Sequence, residues 1–345
     1  VREVPLMNLL WKLFPNRRLQ GEDRFRSTHH GSILDSERGN SPIIIMKSDF
    51  LVSLADNMAT QLGPDVLRTL RYAASDEWRE TLEQSVFSWK GDDPGKWKGF
   101  DRFWRDEGHY DASIIVDGAL SKYVVETTVP TPIAAGNFAA ALEFAIGNPI
   151  RVGVETQSQH TAFLSIQVKE RILGDTSPPP KVDNYTPVGI LTPLYIDGLE
   201  FEKEGGIRRL GQNYCVVPIR LFDHWELAST SLAKTAYNHD KTTWEMSLCT
   251  AVSTAFVESG ELVFIENEES WEQVSSLYFS RWGFGKIHHI QASEDSLIFT
   301  VKSDANPCIV AGLLMGCIHR TTGKKIYPEW EIMDDNTSVK FDMTQ

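Results

Sequence analysis

The spacing of hydrophobic positions predicts two consecutive helices near the start of the chain. A short apolar run at 43–46 precedes two segments, 48–62 and 65–89, in which apolar residues recur every three or four positions. That spacing places apolar side chains on one face of an α-helix. Gly63 and Pro64 separate the segments, and glycine commonly ends a helix while proline commonly begins one.

The pattern then changes to strands. Residues 113–116 and 122–127 are rich in β-branched and aromatic residues, and a short segment with a glycine joins them, so we predict a β-hairpin. After the hairpin comes an apolar pattern with helical spacing, and Gly147 ends it. The predicted elements after the hairpin are an alanine-rich helix at 133–142 and a second pair of strands at 151–155 and 161–166.

The second half of the chain repeats this order of elements. A shift of 176 positions places 103–168 on 279–344 without a gap and aligns eleven identical residues, among them Gly136 with Gly312. Because a repeat this long can bury its own core, the pattern indicates two copies of one domain rather than a solenoid. We infer a tandem duplication of a helix-helix-hairpin-helix-hairpin unit.

This repeat divides the chain into four segments. The N-terminal arm contains a short apolar stretch at 6–14, which predicts an amphipathic helix. That helix docks on its own domain or on a partner subunit, or it lies at a membrane surface. The predicted segments are the arm at 1–41, the first domain at 42–168, a linker and connecting segment at 169–217, and the second domain at 218–345.

Charge and cysteine content exclude several classes of protein. The 34 lysines and arginines against 47 aspartates and glutamates give a net charge of -13, which disfavours nucleic-acid binding. The four cysteines form no CxxC pair, so free thiols in a reducing cytoplasm are expected. The sequence contains no run of about 18 apolar residues, so we expect no transmembrane helix. A cytoplasmic location, free or peripheral to a membrane or complex, is the prediction.

Short motifs in the second copy suggest a family. They are RWGFG at 281–285, NPCIVAGLLMG at 306–316 and GKKI at 323–326. This copy, at 218–344, resembles the V4R (4-vinyl reductase-like) small-molecule-binding domain, and 42–168 resembles it more weakly. The resemblance implies an α/β fold of the α+β type, with helices packed on an antiparallel sheet. It also implies that the two domains pair as an intramolecular pseudo-dimer.

The resemblance also implies a candidate zinc site. Cys308 and Glu331 match positions that hold zinc in phenol-sensing members of the family, but Asp334 stands where a further cysteine is expected. In the first copy the matching residues are Pro132 and Glu155, which excludes a metal there. A structural zinc ion prefers four thiolate or imidazole ligands. The alternative is therefore a buried free thiol beside a structural carboxylate.

Aromatic residues cluster before each predicted hairpin. Aromatic side chains with few polar neighbours suit a flat apolar ligand. The alternative is that the rings simply fill the hydrophobic core. The candidate ligand-binding residues are Phe103, Trp104 and Tyr110 in the first copy, and Tyr278, Phe279, Trp282 and Phe284 in the second.

The sequence favours a binding protein over an enzyme. No GxGxxG, GxxxxGK[ST], HExxH or GxSxG motif occurs, and no catalytic residue can be assigned. The V4R family includes sensors of aromatic compounds, accessory factors of bacteriochlorophyll synthesis and, in related folds, subunits of vesicle-tethering complexes. We therefore expect a non-enzymatic module that binds an apolar or aromatic small molecule. The alternatives are an accessory subunit that joins a protein complex through the N-terminal helix, and a factor or enzyme acting on a tetrapyrrole.

Overall fold

Helices and antiparallel sheets together form a mixed α/β fold, as the sequence predicts. The predicted helix at 6–14 lies outside the residues that the structure describes. The computed structural model describes residues 23–84, 100–116, 121–158, 160–168, 190–203, 205–230, 239–333 and 336–344.

A central antiparallel sheet joins the two halves of the chain. Its two middle strands come from different halves and pair with Ile45 opposite Val216. Apolar side chains alternate between the two faces of these strands, because successive residues of a strand point to opposite sides. The strands, in spatial order, are β8 (Thr192–Pro193), β1 (Phe25–Ser27), β2 (Ile33–Asp35), β3 (Ser41–Lys47), β11 (Gln212–Pro218), β10 (Ile207–Arg209) and β9 (Leu199–Phe201).

The first half continues from β3 into helices and then into a sheet of its own. Its last helix ends at Gly147, which adopts the left-handed conformation that favours glycine (φ 73°). The elements are α1 (Ser48–Leu62), α2 (Asp65–Gln84), α3 (Phe100–Asp106), β4 (Tyr110–Val116), β5 (Ser121–Thr127), α4 (Thr131–Ile146), β6 (Ile150–Ser158) and β7 (Thr161–Val168).

The second half continues from β11 in the same way. Its last helix also ends at a left-handed glycine, Gly323 (φ 71°). The elements are α5 (Arg220–Thr230), α6 (Lys241–Glu258), α7 (Ser270–Val274) with two short helical turns up to Trp282, β12 (Lys286–Ala292), β13 (Ser296–Lys302), α8 (Pro307–Thr322), β14 (Pro328–Met333) and β15 (Asn336–Asp342).

The two halves have the same order of elements and the same sheet topology. The strand order is β4-β5-β7-β6 in one half and β12-β13-β15-β14 in the other. Helices α4 and α8 are both 16 residues long and begin 176 positions apart. The predicted hairpins and the alanine-rich helix are therefore present, and the repeat found in the sequence is also a repeat of secondary structure.

Helices from the two halves pack against each other and against their own sheets. Helix α2 packs on α4 and α6 packs on α8, whereas α1 contacts α6 and α2 contacts α5 across the halves. Two glycines permit the closest approaches. A Cβ atom on Gly136 would overlap the carbonyl oxygen of Arg71, and one on Gly312 would lie 2.5 Å from the carbonyl oxygen of Cys249.

The structure differs from the prediction in two polar segments. We expected an arm or loop over 15–41 and a linker over 169–217, but the described parts of both contribute strands to the central sheet. Four of these strands, β1, β2, β9 and β10, are only three residues long, so an alternating pattern cannot be recognised in them. They form because neighbouring strands satisfy their backbone hydrogen bonds. The second half begins accordingly at β11, before residue 218.

Candidate functional site

The aromatic residues before the first hairpin lie in the core of the first half. Phe103, Trp104 and Tyr110 are 0%, 2% and 3% exposed. The rings of Trp104 and Tyr110 stack with centroids 4.5 Å apart, and the Trp78 ring lies 5.2 Å from that of Phe103. Side chains packed in this way occupy the space between them closely, as in any protein interior. Three of the seven candidate ligand-binding residues therefore contact the protein itself.

Two arginines from the N-terminal region lie on these aromatic faces. Arg24 directly precedes β1, and Arg38 lies in the turn between β2 and β3. The Cζ atom of Arg24 is 4.4 Å from the centroid of the Phe103 ring, and that of Arg38 is 5.0 Å from the Trp78 ring. A cation over an aromatic face is attracted electrostatically, most strongly where water is excluded. The protein's own guanidinium groups thus cover Phe103, one of the rings at which we expected a ligand.

The same two arginines form a buried network with carboxylates. Arg24 donates from Nε and Nη2 to the two carboxylate oxygens of Asp35, at 2.9 and 2.5 Å, and from Nη2 to Glu107 at 2.7 Å. Arg38 donates from Nε and Nη2 to Glu107, both at 3.0 Å, and from Nη1 to Glu77 at 2.7 Å. Both arginines are 2% exposed. The network fastens the N-terminal strands to α2 and to the end of α3.

Burial shifts the pKa values of two titratable groups around this network, Glu77 and His109. Burial raises the pKa of Glu77, although Arg38 acts in the opposite direction. Burial also lowers the pKa of His109, despite the nearby Glu107. The Nε2 atom of His109 lies 2.6 Å from the carbonyl oxygen of Val216, so a neutral ring that donates from Nε2 fits this geometry. His109 is 3% exposed and joins the first half to β11.

The aromatic residues of the second half surround only a small cavity. Tyr278, Trp282 and Phe284 line a space of about 60 Å³, and Phe279 lies in the core with no exposure. The Trp282 ring stacks on Tyr214 of the central sheet, with centroids 5.0 Å apart. An engineered cavity that binds benzene measures about 150 Å³. This cavity accommodates water-sized groups rather than a flat aromatic ligand.

A much larger groove lies elsewhere in the second half. Its volume is about 830 Å³, and α5, the start of α6, the start of α8 and β14 form its walls. We call it the acidic groove because carboxylates dominate its polar lining. The carboxylates are Asp223, Glu226, Glu245 and Glu331, and the apolar lining residues are Leu227, Pro307, Trp330 and Ile332.

One ammonium group is bound among these carboxylates. The Nζ atom of Lys241 lies 2.8 Å from Oε1 of Glu226 and 3.6 Å from Oε1 of Glu245. Its side chain is 65% exposed, so it leaves this position easily. Among the described residues that line the groove, four carboxylates face one ammonium. The lining therefore has an excess of negative charge.

The start of α8 is tied to the acidic groove by an amide. Asn306 accepts a hydrogen bond from the backbone N–H of Cys308 at 3.0 Å and donates to Asp223 at 3.3 Å. The first bond caps the helix, and the second orients the carboxylate. Burial raises the pKa of Asp223, although part of its side chain is exposed to solvent. The hydrogen bond from Asn306 acts in the opposite direction and lowers this pKa.

The first half has a groove in the corresponding place. Its volume is about 520 Å³, and α1, α2, the start of α4 and β6 form its walls. We call it the basic groove because two arginines lie in its lining with a single aspartate. The lining residues are Val52, Ala55, Asp56, Leu67, Arg68, Arg71, Pro130, Thr131, Pro132, Val154 and Thr156.

The two grooves correspond residue by residue at the helix start and at the strand. With the shift of 176 positions, Pro132 takes the place of Cys308, and Val154 takes the place of Trp330. Pro130 takes the place of the capping residue Asn306. Equivalent backbone positions thus carry different chemistry. The comparison makes these grooves, rather than the aromatic clusters, the candidate functional sites.

The predicted zinc residues both line the acidic groove. Cys308 is 1% exposed, and burial raises the pKa of its thiol well above the usual value, which disfavours a thiolate ligand. Glu331 is exposed at the strand opposite. Within the described part of the chain, no three histidine, cysteine or acidic side chains come together as metal ligands. Asp334, the third position considered, lies outside the described residues.

The grooves escaped the sequence-based prediction, although a signal for them existed. Lining residues such as Glu226, Glu245 and Asn306 come from three elements that are separated in sequence, so no short motif contains them. The usable signal was the repeat itself. Residues that differ in chemistry at equivalent positions of two copies, such as Asn306 and Pro130, indicate sites that are not needed for the shared core.

Comparisons of the chain with protein-family models, with curated proteins and with solved structures find no match. In the part of the chain that the structure describes, no helix has the length and apolar composition needed to cross a bilayer.

Proposed function

We propose that this chain is a non-enzymatic binding module and that the acidic groove is its ligand site. The ligand would carry a positive charge, in the form of an amine, on an apolar or aromatic body. Ligand sites are typically clefts of about 300–1,000 Å³ with a mostly apolar lining and a few oriented polar groups. The acidic groove, at about 830 Å³, falls in this range.

The charge of the lining supports a cationic ligand. Asp223, Glu226, Glu245 and Glu331 are opposed within the lining by Lys241 alone among the described residues. Carboxylates held in a cleft attract an opposite charge more strongly than carboxylates in open water, because the local dielectric constant is lower.

The position of Lys241 supports an amine in particular. Its ammonium lies between Glu226 and Glu245, which are already placed to accept hydrogen bonds from a primary ammonium group. The indole of Trp330 and the side chain of Ile332 stand on the opposite wall and offer an apolar surface to the rest of the ligand.

The repeated architecture supports the module interpretation. The two halves have the same order of elements, and β3 of the first half pairs with β11 of the second. Helices of the two halves also contact each other, as those of paired V4R-like domains would within one chain. In this proposal the pseudo-dimer is a rigid support. Each groove is built on helix starts and a strand, which hold side chains more firmly than loops do.

A titration with naphthylmethylamine tests the proposal. Ligand-observed NMR on the intact chain should detect saturable binding, which the double variant Glu226→Gln/Glu245→Gln weakens about tenfold through loss of two charge contacts. The matched control is Glu268→Gln, an exposed carboxylate outside the groove, which should leave the affinity unchanged. Equal affinity in both variants, or no saturable binding to the wild type, would contradict the proposal.

An accessory subunit of a larger complex is the second candidate function. Leu262 and Phe264, in the segment between α6 and α7, are 66% and 75% exposed. Neighbouring exposed apolar side chains are common at protein interfaces. If they form a contact between copies of the chain, light scattering should show an oligomer that the variant Phe264→Ser dissociates. If the chain stays monomeric at high concentration, self-association does not explain why Leu262 and Phe264 are exposed.

A further inference from the structure

The basic groove of the first half is lined by charges of the opposite sign. Arg68 and Arg71 lie one helical turn apart on α2, and Asp56 on α1 is the single carboxylate of the lining among the described residues. Two arginines thus stand against one aspartate in the lining. The balance of the lining is positive.

Each of the two arginines donates a hydrogen bond to an oxygen atom of the protein, and both lie beside Tyr72. Arg68 donates from Nε to the hydroxyl of Tyr72 at 3.0 Å. Arg71 donates from Nη1 to the carbonyl oxygen of Val152 at 3.2 Å, which fixes it against β6. Burial raises the pKa of Tyr72, but the adjacent Arg68 and Arg71 outweigh this effect and lower it. This pair of cations therefore favours negative charge on a neighbouring oxygen.

The start of α4 adds to the positive potential of the groove. Pro130, Thr131 and Pro132 all line it, and the N-cap residue Pro130 makes no side-chain hydrogen bond to the helix. The N-terminus of a helix carries a partial positive charge. In the second half the amide of Asn306 caps the corresponding helix. The electrostatic potential at the start of α4 is therefore more positive than at the start of α8. This difference has the same sign as the difference between the arginines of the basic groove and the carboxylates of the acidic groove.

We propose that the basic groove is a second, separate ligand site, for an anion that carries an apolar body, of the class of aryl or alkyl carboxylates. The guanidinium groups of Arg68 and Arg71 bind the carboxylate, because the planar fork of a guanidinium matches its two oxygens. Val52, Leu67 and Val154 contact the apolar part. The groove of about 520 Å³ has room for both. This proposal does not depend on the function assigned to the acidic groove.

Naphthylacetate, which shares its aromatic body with naphthylmethylamine, is the probe for this site. Ligand-observed NMR on the intact chain should show saturable binding that Arg68→Met weakens about tenfold, the loss expected for one charge-assisted contact. Arg68 is exposed, so its replacement leaves the core intact. Inorganic phosphate in a parallel titration shows whether the anionic group alone is sufficient, and it should bind more weakly than naphthylacetate.

A second variant tests the groove without changing its charge. Val154→Trp narrows the groove with the residue that the second half carries at the equivalent position, Trp330, and Val154 is 37% exposed. This variant should weaken naphthylacetate binding, whereas Glu331→Gln in the acidic groove should not affect it.

Three results would overturn the proposal. They are the absence of saturable naphthylacetate binding, unchanged affinity in both Arg68→Met and Val154→Trp, and displacement of naphthylacetate by naphthylmethylamine, which would indicate one shared site. Loss of amine binding alone, with naphthylacetate binding intact, contradicts only the function proposed for the acidic groove.

Discussion

The two halves of this chain share one plan of helices and strands but differ in what their equivalent surfaces carry. The shared part is the packing of α2 on α4 and of α6 on α8, with a glycine at each closest approach. The different part is the lining of the grooves, where Asn306 and Cys308 correspond to Pro130 and Pro132. Core packing tolerates few changes, whereas a groove lining that faces solvent can change its charge without loss of the fold.

The aromatic clusters show the same division. In the first half the cluster is covered by Arg24 and Arg38 from the N-terminal region and joined to a buried ion network. In the second half Trp282 stacks on Tyr214, and the half-buried Arg209 lies over its ring with its Cζ atom 5.7 Å from the centroid. The segment before β3 contacts both clusters, since Trp282 packs against the group of side chains that contains Phe25 and Ile33, but among the described residues only in the first half does it add a buried ion network.

The largest expected effect is the loss of stability when the buried ion network of the first half is disrupted. Arg24→Met leaves Asp35 and Glu107 buried without one of their cations, and removal of one partner of a buried pair costs about 3–5 kcal/mol. Urea unfolding followed by circular dichroism should show this loss. The control Arg208→Gln removes an exposed pair with Glu202 and should cost less than about 1 kcal/mol. Similar values for both variants would contradict a structural role for the network.

A pair of glycine substitutions sharpens the comparison of the shared core. Gly136→Ala and Gly312→Ala each place a methyl group against a backbone carbonyl of the neighbouring helix, of Arg71 and of Cys249. Overpacking of this kind costs about 1–3 kcal/mol. Thermal or urea unfolding should show comparable losses in both variants, and each serves as the control for the other. A loss in only one would mean that the halves do not share this packing.

A smaller effect is expected on the pH dependence of the free energy of unfolding, through Asp223 in the acidic groove. Because burial raises the pKa of Asp223 in the folded state, ionisation of this carboxyl costs more free energy in the folded chain than in the unfolded chain. Stability should therefore increase as pH falls from the raised value towards the ordinary pKa of aspartate. Asp223→Asn should be more stable than the wild type at neutral pH, and the difference should vanish in acid. A destabilised variant at neutral pH would contradict this assignment.

The smallest expected effect concerns the lysine of the acidic groove. Lys241→Met removes an ammonium that competes for Glu226 and Glu245, so naphthylmethylamine should bind about two- to fivefold more tightly, the scale of an exposed ion pair. NMR titration measures this change. Lys324→Met, an exposed substitution outside the groove lining, is the control. Weaker amine binding in Lys241→Met would mean that the lysine supports the site instead of competing for it.

The aromatic clusters show how far sequence reasoning reached at the candidate site. It identified Phe103, Trp104, Tyr278 and Trp282 as neighbours of the hairpins, and the structure places them there. Composition alone could not decide whether these rings face a ligand or the core. That choice depends on which distant segment covers them, and in the first half a segment with a polar sequence does so.

The ion network was inaccessible to sequence reasoning for a related reason. Arg24 and Glu107 are 83 positions apart, and Arg38 and Glu77 are 39 apart. Charged residues in a polar segment are normally solvated, so a loop was the natural expectation. Their burial became favourable only because the fold brings several hydrogen-bonding partners to one place.

The sequence by itself determined the longer helices but not α3 or α7, together with the hairpins, the glycine stops at Gly147 and Gly323, and the repeat. These features are local, because they depend on side-chain periodicity and on the backbone conformation of single residues. Only the tertiary structure decided which rings are covered, where arginines are buried and which residues line the grooves. Those outcomes depend on contacts between distant segments, whose energies no local pattern contains.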